Sequence, residues 1–151
     1  MVLFGDYHTH TKYSRHNHGK GTILENASVA SSKGLKQIAI TDHGFNHFCF
    51  GVRRKDIPEV KEDIWNAREV TGVDILLGVE ANLISTDGDV DVKVEDFEFL
   101  DILLMGYHKL VHMNSQKDFR QINLVNMVGS PFRPSKERLN RNTTAFLKAL
   151  D

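Results

Sequence analysis

The stretch GLKQIAITDHG, residues 34–44, decides how the chain is read. Its apolar, β-branched run stops abruptly at Asp42-His43 and is followed at once by glycine. A short, nearly continuous hydrophobic run of this kind reads as a strand covered on both faces, the usual situation in a parallel sheet. Three more segments have the same shape: MVLFGDYH at 1–8, VDILLGVEA at 73–81 and LDILLMGYH at 100–108. Helical patterns separate them. Thr22 and Glu25 match a capping box, with Gly34 as the stop of that helix. A second helix is marked by Asp56 as N-cap, Pro58 in the first turn, a stripe of Ile57, Val60, Ile64 and Ala67, and Gly72 at its end. STDGDVD at 85–91 carries an Asp-Gly turn on a surface excursion, and VEDFEFL at 94–100 reads as a short helical link. Two further helical patterns lie near 116–128 and 135–150, divided by GSPFRP at 129–134. No internal repeat or low-complexity linker interrupts this alternation, so the chain is an α/β domain of parallel units with right-handed crossovers.

Composition narrows the function classes. A chain of 151 residues, 40% hydrophobic, can bury one core. A formal net charge of −1 offers no electrostatic reason for binding nucleic acid or a membrane surface. No apolar run approaches the ~20 residues of a membrane span, and no secretion signal is evident. The single cysteine, Cys49, excludes an internal disulfide and suits a reducing compartment, so a cytoplasmic location is expected.

The chemistry lies where the strands stop. The first run ends at His8-Thr9-His10, the second at Asp42-His43, the third at Glu80 and the fourth at His108. In a parallel α/β fold these ends open onto one rim, where such folds place their sites. Residues i and i+2 of a strand share a face, so His8 and His10 can present two nitrogens to one centre. Imidazole and carboxylate are ligands for zinc, manganese and iron. Taken singly, each piece has a simpler reading: a surface histidine pair, a helix cap, a rim charge. Their recurrence at successive strand ends is what points to metal. The segment GDYHTHTKYSRHNHGKGT at 5–22 adds His16 and His18, so it holds four of the eight histidines.

These segments resemble a known family. DYHTHTKYS (6–14), AITDHG (39–44), GVEAN (78–82) and LLMGYH (103–108) are similar, in order and spacing, to the first four motifs of the PHP (polymerase and histidinol phosphatase) metal-dependent phosphoesterases. The small stand-alone bacterial members are the nearest type. The resemblance implies a distorted seven-stranded (βα)7 barrel, of which this chain carries about four strands, and up to three divalent metals (zinc, manganese or iron). Carried over position by position, the implied ligands are His8, His10, His43, Glu80 as the bridging carboxylate, and His108. A further family histidine follows the first motif. Counting forward from His10 gives His16; counting back through the helix from AITDHG gives His18 with a two-residue insertion, and His18 is preferred.

The implied activity is hydrolysis of phosphate esters by a hydroxide held between metals, on a small phosphorylated substrate, in the manner of a histidinol phosphatase. A non-catalytic metal-binding or interaction module and a PHP exonuclease are the alternatives. Asp6 and Asp42 adjoin ligands and either orient imidazoles or cap strand ends. Lys12, Arg15 and Lys20 either meet substrate phosphate or are solvated loop charges. His47 and His112 read as loop histidines, and Cys49 as a packed side chain. The family's later ligands, a histidine ending the fifth strand and an Asp-x-His near the C-terminus, find no match, since no histidine follows His112. The last helical pattern, with Leu139, Phe146, Leu147 and Leu150 on its apolar face, runs to Asp151 without a stop signal. Residues 1–151 are therefore read as the N-terminal portion of a single PHP domain. The portion alone is expected to be inactive and to self-associate through an open sheet edge.

Overall fold

Local signals set most of the element boundaries. The Thr22 hydroxyl accepts the Glu25 N–H while the Glu25 carboxylate accepts the Thr22 N–H, a reciprocal cap that starts α1 (Ile23–Ser32). Gly72, with φ +67°, ends α2 (Ile57–Thr71) in the left-handed region that a side chain would resist. Asp56 does not cap this helix, contrary to expectation. Its carboxylate is drawn instead to Arg53, 2.7 Å away, and makes no hydrogen bond to the helix backbone.

The computed structural model describes residues 4–128 and 134–150. Strands β1 (Gly5–Thr9), β2 (Gln37–His43), β3 (Asp74–Asn82) and β4 (Ile102–Gly106) form one parallel sheet in chain order, curled into a half-barrel with helices interleaved. Between β3 and β4 the chain turns out and back: Leu83 bridges Val90, and the Ser85 hydroxyl accepts the N–H groups of Asp87 and Asp89. A single 3-10 turn, Val94–Glu98, then leads into β4.

The core forms where α1 and α2 cover the central strands. Ile23, Ala27 and Ala30 of α1 and the predicted stripe Ile57, Val60, Ile64 and Ala67 of α2 are buried with Ile38, Ile40, Ile75, Leu77 and Val79. Coverage on both faces holds for β2 and β3 but not for the outer strands. Asp6, Tyr7 and His8 of β1 are exposed, and Ile102 to Met105 of β4 are half-buried. Trp65 does not lie over the sheet. It is 63% exposed, beside Phe97 and Arg68 in an open surface groove.

The C-terminal helices differ more from their sequence pattern. The region near 116–128 is α3 (Gln116–Asp118), a π-helical stretch Phe119–Leu124 and α4 (Val125–Val128), with Ser115 capping the start. In α5 (Lys136–Lys148), Leu139 and Leu147 are exposed, as is Leu150 just beyond it, and Ala145 is the buried residue. The helix docks through Ala145, which packs with Leu83 and Ile122, and by polar contacts, with Arg138 and Arg141 donating to the carbonyls of Val125 and Gln121 and Asn142 to the side chain of Asn126. Most of the GSPFRP break, residues 129–133, and the terminal Asp151 lie outside the described residues, as do residues 1–3.

Ile40 sits at the centre of the sheet with 1% of its surface exposed. Ile40→Ala should cost about 2–5 kcal/mol of unfolding free energy, read as a lowered urea midpoint at unchanged slope. A loss under about 1 kcal/mol would place the core elsewhere.

Candidate metal centre

Register brings the strand-end residues together. In the β2–β3 ladder His43 stands directly opposite Glu80, and in the β3–β4 ladder Asn82 stands opposite Gly106, two residues before His108. On the other side of β2 the pairing skips: Asp6 pairs with Ile38 but Thr9 with Ile40. This bulge contains His8 and re-aims its side chain. Four imidazoles consequently converge on one carboxylate. His8 Nε2, His10 Nε2 and His43 Nδ1 lie 3.3, 3.6 and 3.3 Å from Glu80 Oε2, and His108 Nε2 lies 3.3 Å from Oε1. The other nitrogen of His43 lies 3.0 Å from His18 Nε2.

His18 therefore joins the cluster. His16, exposed and at φ +56°, is in none of the donor groups found among the described residues.

The fit to divalent cations can be judged from the donors. Among the described residues three overlapping trios have ligand atoms within 4.8 Å of one another: His10, His18 and His43; His8, His10 and Glu80; and His43, Glu80 and His108. His43 Nδ1 is buried and makes no hydrogen bond although Glu80 is near, so this atom is left for a further partner. Nitrogen donors grouped around one carboxylate suit zinc, manganese or iron. Glu80, His10 and His43 each belong to two trios; Glu80, with two oxygens, could serve neighbouring cations, whereas a neutral imidazole offers one lone pair and would serve one.

Two of the rings, His108 and His10, are held from behind. His108 Nδ1 is 2.8 Å from Asn82 Oδ1, and because an amide oxygen only accepts, the proton sits on Nδ1 and the lone pair on Nε2 faces Glu80. Asn82 is fixed in turn by Asp91, whose carboxylate accepts from its backbone N–H and side-chain amide and from the Asn46 N–H. Asp42 accepts from the Thr11 N–H and hydroxyl and from Ser14, whose hydroxyl lies 3.4 Å from His10 Nδ1. Asp42 thus reaches His10 through Ser14. Asp6 accepts its neighbour's backbone N–H at His8 and touches no imidazole. Asn82 and Asp91 were not singled out in the sequence, although Asn82 stands two residues beyond Glu80 and so shares its face of the strand.

The candidate phosphate-binding side chains are deployed elsewhere. Lys12 pairs with Asp63 at 3.1 Å and Glu59 at 3.6 Å, beside α2 rather than the rim. Arg15 donates to the carbonyls of Gly51 and Phe48, and exposed Lys20 is in no ion pair among the described residues. Arg54 makes a bidentate pair with buried Asp96 and lies over Phe45. His47 is buried against the site, its ring centroid 5.0 Å from that of His43 and 5.7 Å from that of His108. His112 is exposed, against Phe48.

Burial favours the neutral form of the inner rings His10, His43 and His47. Burial, reinforced by His108 and His10, depresses His43 to about 3, and burial with His108 and His18 depresses His47 to about 4. His10 is lowered by burial against the opposing pull of Asp42 and Glu80. Burial alone would raise Glu80, but the surrounding imidazoles, His108 first and then His8 and His43, outweigh it in the acid range where they carry charge and lower it to about 2. Gly106 permits the approach: a Cβ there would stand 2.1 Å from His108 Cε1 and 2.7 Å from Glu80 Oε1.

Fold and site together define a class, an α/β half-barrel with a candidate metal centre at its C-terminal rim. The chain belongs to the PHP domain family, whose model matches residues 6–147. It is 33% identical over 135 residues to the probable phosphatase PBPRB2022 of Photobacterium profundum, an alignment covering 86% of this chain and 50% of that protein. A probable phosphatase of Shewanella halifaxensis is 35% identical with the same coverage. The probable phosphatase Sputw3181_2734 of Shewanella sp. W3-18-1 is 35% identical over 130 residues, 83% of this chain and 47% of that one. The chain thus spans about half the length of these curated relatives.

Two outcomes follow. Asn82→Ala should weaken zinc affinity about 10- to 100-fold by freeing the His108 ring, measured by competition with a chelator; an unchanged affinity would remove Asn82 from this role. Without metal, stability should fall as pH drops from about 6.5, because the unfolded histidines take up protons that folded His43 and His47 refuse until about 3 and 4. Glu80 continues the same trend from 4.5 toward 2. A urea midpoint that stays flat between pH 8 and 5 would contradict this.

Proposed function

We propose that this PHP domain serves a metal-dependent hydrolase of phosphate esters, a phosphomonoesterase of small phosphorylated metabolites in the manner of a histidinol phosphatase. The observation that carries the reading is the convergence of His8, His10, His43 and His108 on Glu80, with His18 completing a further trio. These six residues would hold up to three cations of zinc, manganese or iron. Such cations supply Lewis acidity and bring the pKa of bound water from ~15.7 to roughly 7.

The rest falls to the chain's own groups. Asn82 keeps the His108 Nε2 lone pair toward the cluster, and Asp42 with Ser14 steadies His10. The His8 side chain, 53% exposed, leaves the rim open for a small substrate to enter. Lys12 and Arg15 are engaged away from the rim, so cations rather than lysine would meet most of the phosphate charge.

Every proposed donor lies before His112, and no histidine follows it. The reading therefore assigns turnover to a chain as long as the relatives and metal binding to residues 1–151. Elemental analysis of the 151-residue chain should find bound zinc or manganese, with no hydrolysis of a phosphate monoester panel. The longer polypeptide loaded with the same metal should be active. A metal-loaded longer polypeptide that leaves the panel untouched would favour the second reading, a non-catalytic metal-binding module.

Assembly belongs to the same proposal. Among the described residues β4 is paired on one side only, and Leu139, Leu147 and Leu150 are exposed, so the 151-residue chain is expected to self-associate as concentration rises. A concentration-independent monomer in light scattering would count against this.

A further inference from the structure

We propose that His47 is a hydrogen-bond donor to a substrate phosphate oxygen, set beside the metal ligands but not one of them. The inference rests on the phosphoesterase reading above. His47 is buried, with its ring stacked on Phe50 at 4.9 Å and in contact with the rings of His43 and His108. Position alone would make it a sixth histidine ligand. Its hydrogen bonding says otherwise.

His47 Nδ1 accepts the backbone N–H of Phe50 at 3.1 Å. A nitrogen that accepts carries no proton, so the ring is neutral and its proton is on Nε2. Nε2 is then a donor with no lone pair to offer a cation. Consistently, His47 belongs to none of the three trios.

The backbone holds this arrangement firmly. The His47 N–H donates to Gly44, and the His47 carbonyl accepts from Gly51, closing a tight loop. His47 also bridges Val111, while Phe48 N–H donates to Leu110 and His112 N–H to Asn46. The loop after β2 is therefore tied to the segment that follows His108. Arg15 clamps the same loop through the carbonyls of Phe48 and Gly51, bringing its positive charge within electrostatic reach of the ring. No hydrogen bond to Nε2 is found among the described residues. A fixed N–H donor next to a cluster of metal ligands is matched by an anionic oxygen, and the phosphoryl group is the anion this reading supplies.

The test uses the 151-residue chain with 15N-labelled histidine, titrated with zinc and then with inorganic phosphate. His47 should show an unprotonated Nδ1 and a protonated Nε2 before and after zinc, and phosphate should shift its Nε2–H signal. His47→Gln keeps an N–H near the Nε2 position and should bind phosphate within about threefold of the parent, whereas His47→Phe should lose about tenfold at unchanged zinc content. Loss of the Nε2 proton on zinc binding, a phosphate-insensitive Nε2–H, or full phosphate affinity in His47→Phe would each overturn the proposal. If His47→Phe does not fold, the signals of the parent chain decide. Zinc that leaves His8, His10, His43 and His108 unperturbed would instead overturn the reading of the site itself, a separate result.

Discussion

A carboxylate buried among imidazoles is the constraint on which the rest depends. Glu80 is 8% exposed, and no lysine or arginine pairs with it among the described residues. A buried anion needs a compensating charge. Its neighbours supply that charge poorly, because burial keeps His43 and His10 largely unprotonated. One anion surrounded by lone pairs is electrostatically a cation site, and this is the physical reason the rim is read as a metal centre.

Keeping such lone pairs aligned takes a rigid surround, and the chain builds it from buried polar groups. Asp91, Asn82 and His108 form one line of support; Asp42, Thr11 and Ser14 form another. Both aspartates are raised by burial while several donors counter that rise, so each is a knot tied from two or three segments. Fully satisfied networks of this kind specify one arrangement, whereas a broken member leaves an unpaired group at large cost. Gly44 and Gly106 stand where these lines pass closest to backbone, with a Cβ at Gly44 meeting Asn82 and Asp91 at 2.7 Å. The apolar layer beneath has a simpler role, which is to hold β2 and β3 in register.

Much of this was legible in the sequence because its signals are local. The four strands announce themselves as apolar runs, α1 by its capping box, and α2 by a stripe whose four members are its buried residues. Glu80 and the histidines stood out because parallel strands bring their ends to one rim. What was not legible depends on direction and on contacts distant in the chain. Lys12 and Arg15 adjoin the ligands in sequence, yet one turns to Asp63 and the other to the carbonyls of Phe48 and Gly51. The β1 bulge has no marker in DYHTH, although it decides where His8 points. Asp91 looked like part of a surface turn and is buried beneath the site, because the Leu83–Val90 bridge folds it back. The α5 leucines followed a helical period, but period alone does not say that a partner face is present.

The sheet runs in the order β1-β2-β3-β4, each strand beside its predecessor in the chain. During synthesis every strand after the first therefore finds its partner already made, and no pairing waits for a distant segment. On the ribosome, the pairing of β3 would bring Glu80 to His8, His10 and His43, and β4 would deliver His108 last. The order of synthesis and the order of pairing in the sheet thus coincide, so the donors of the rim come together in the order in which they are made.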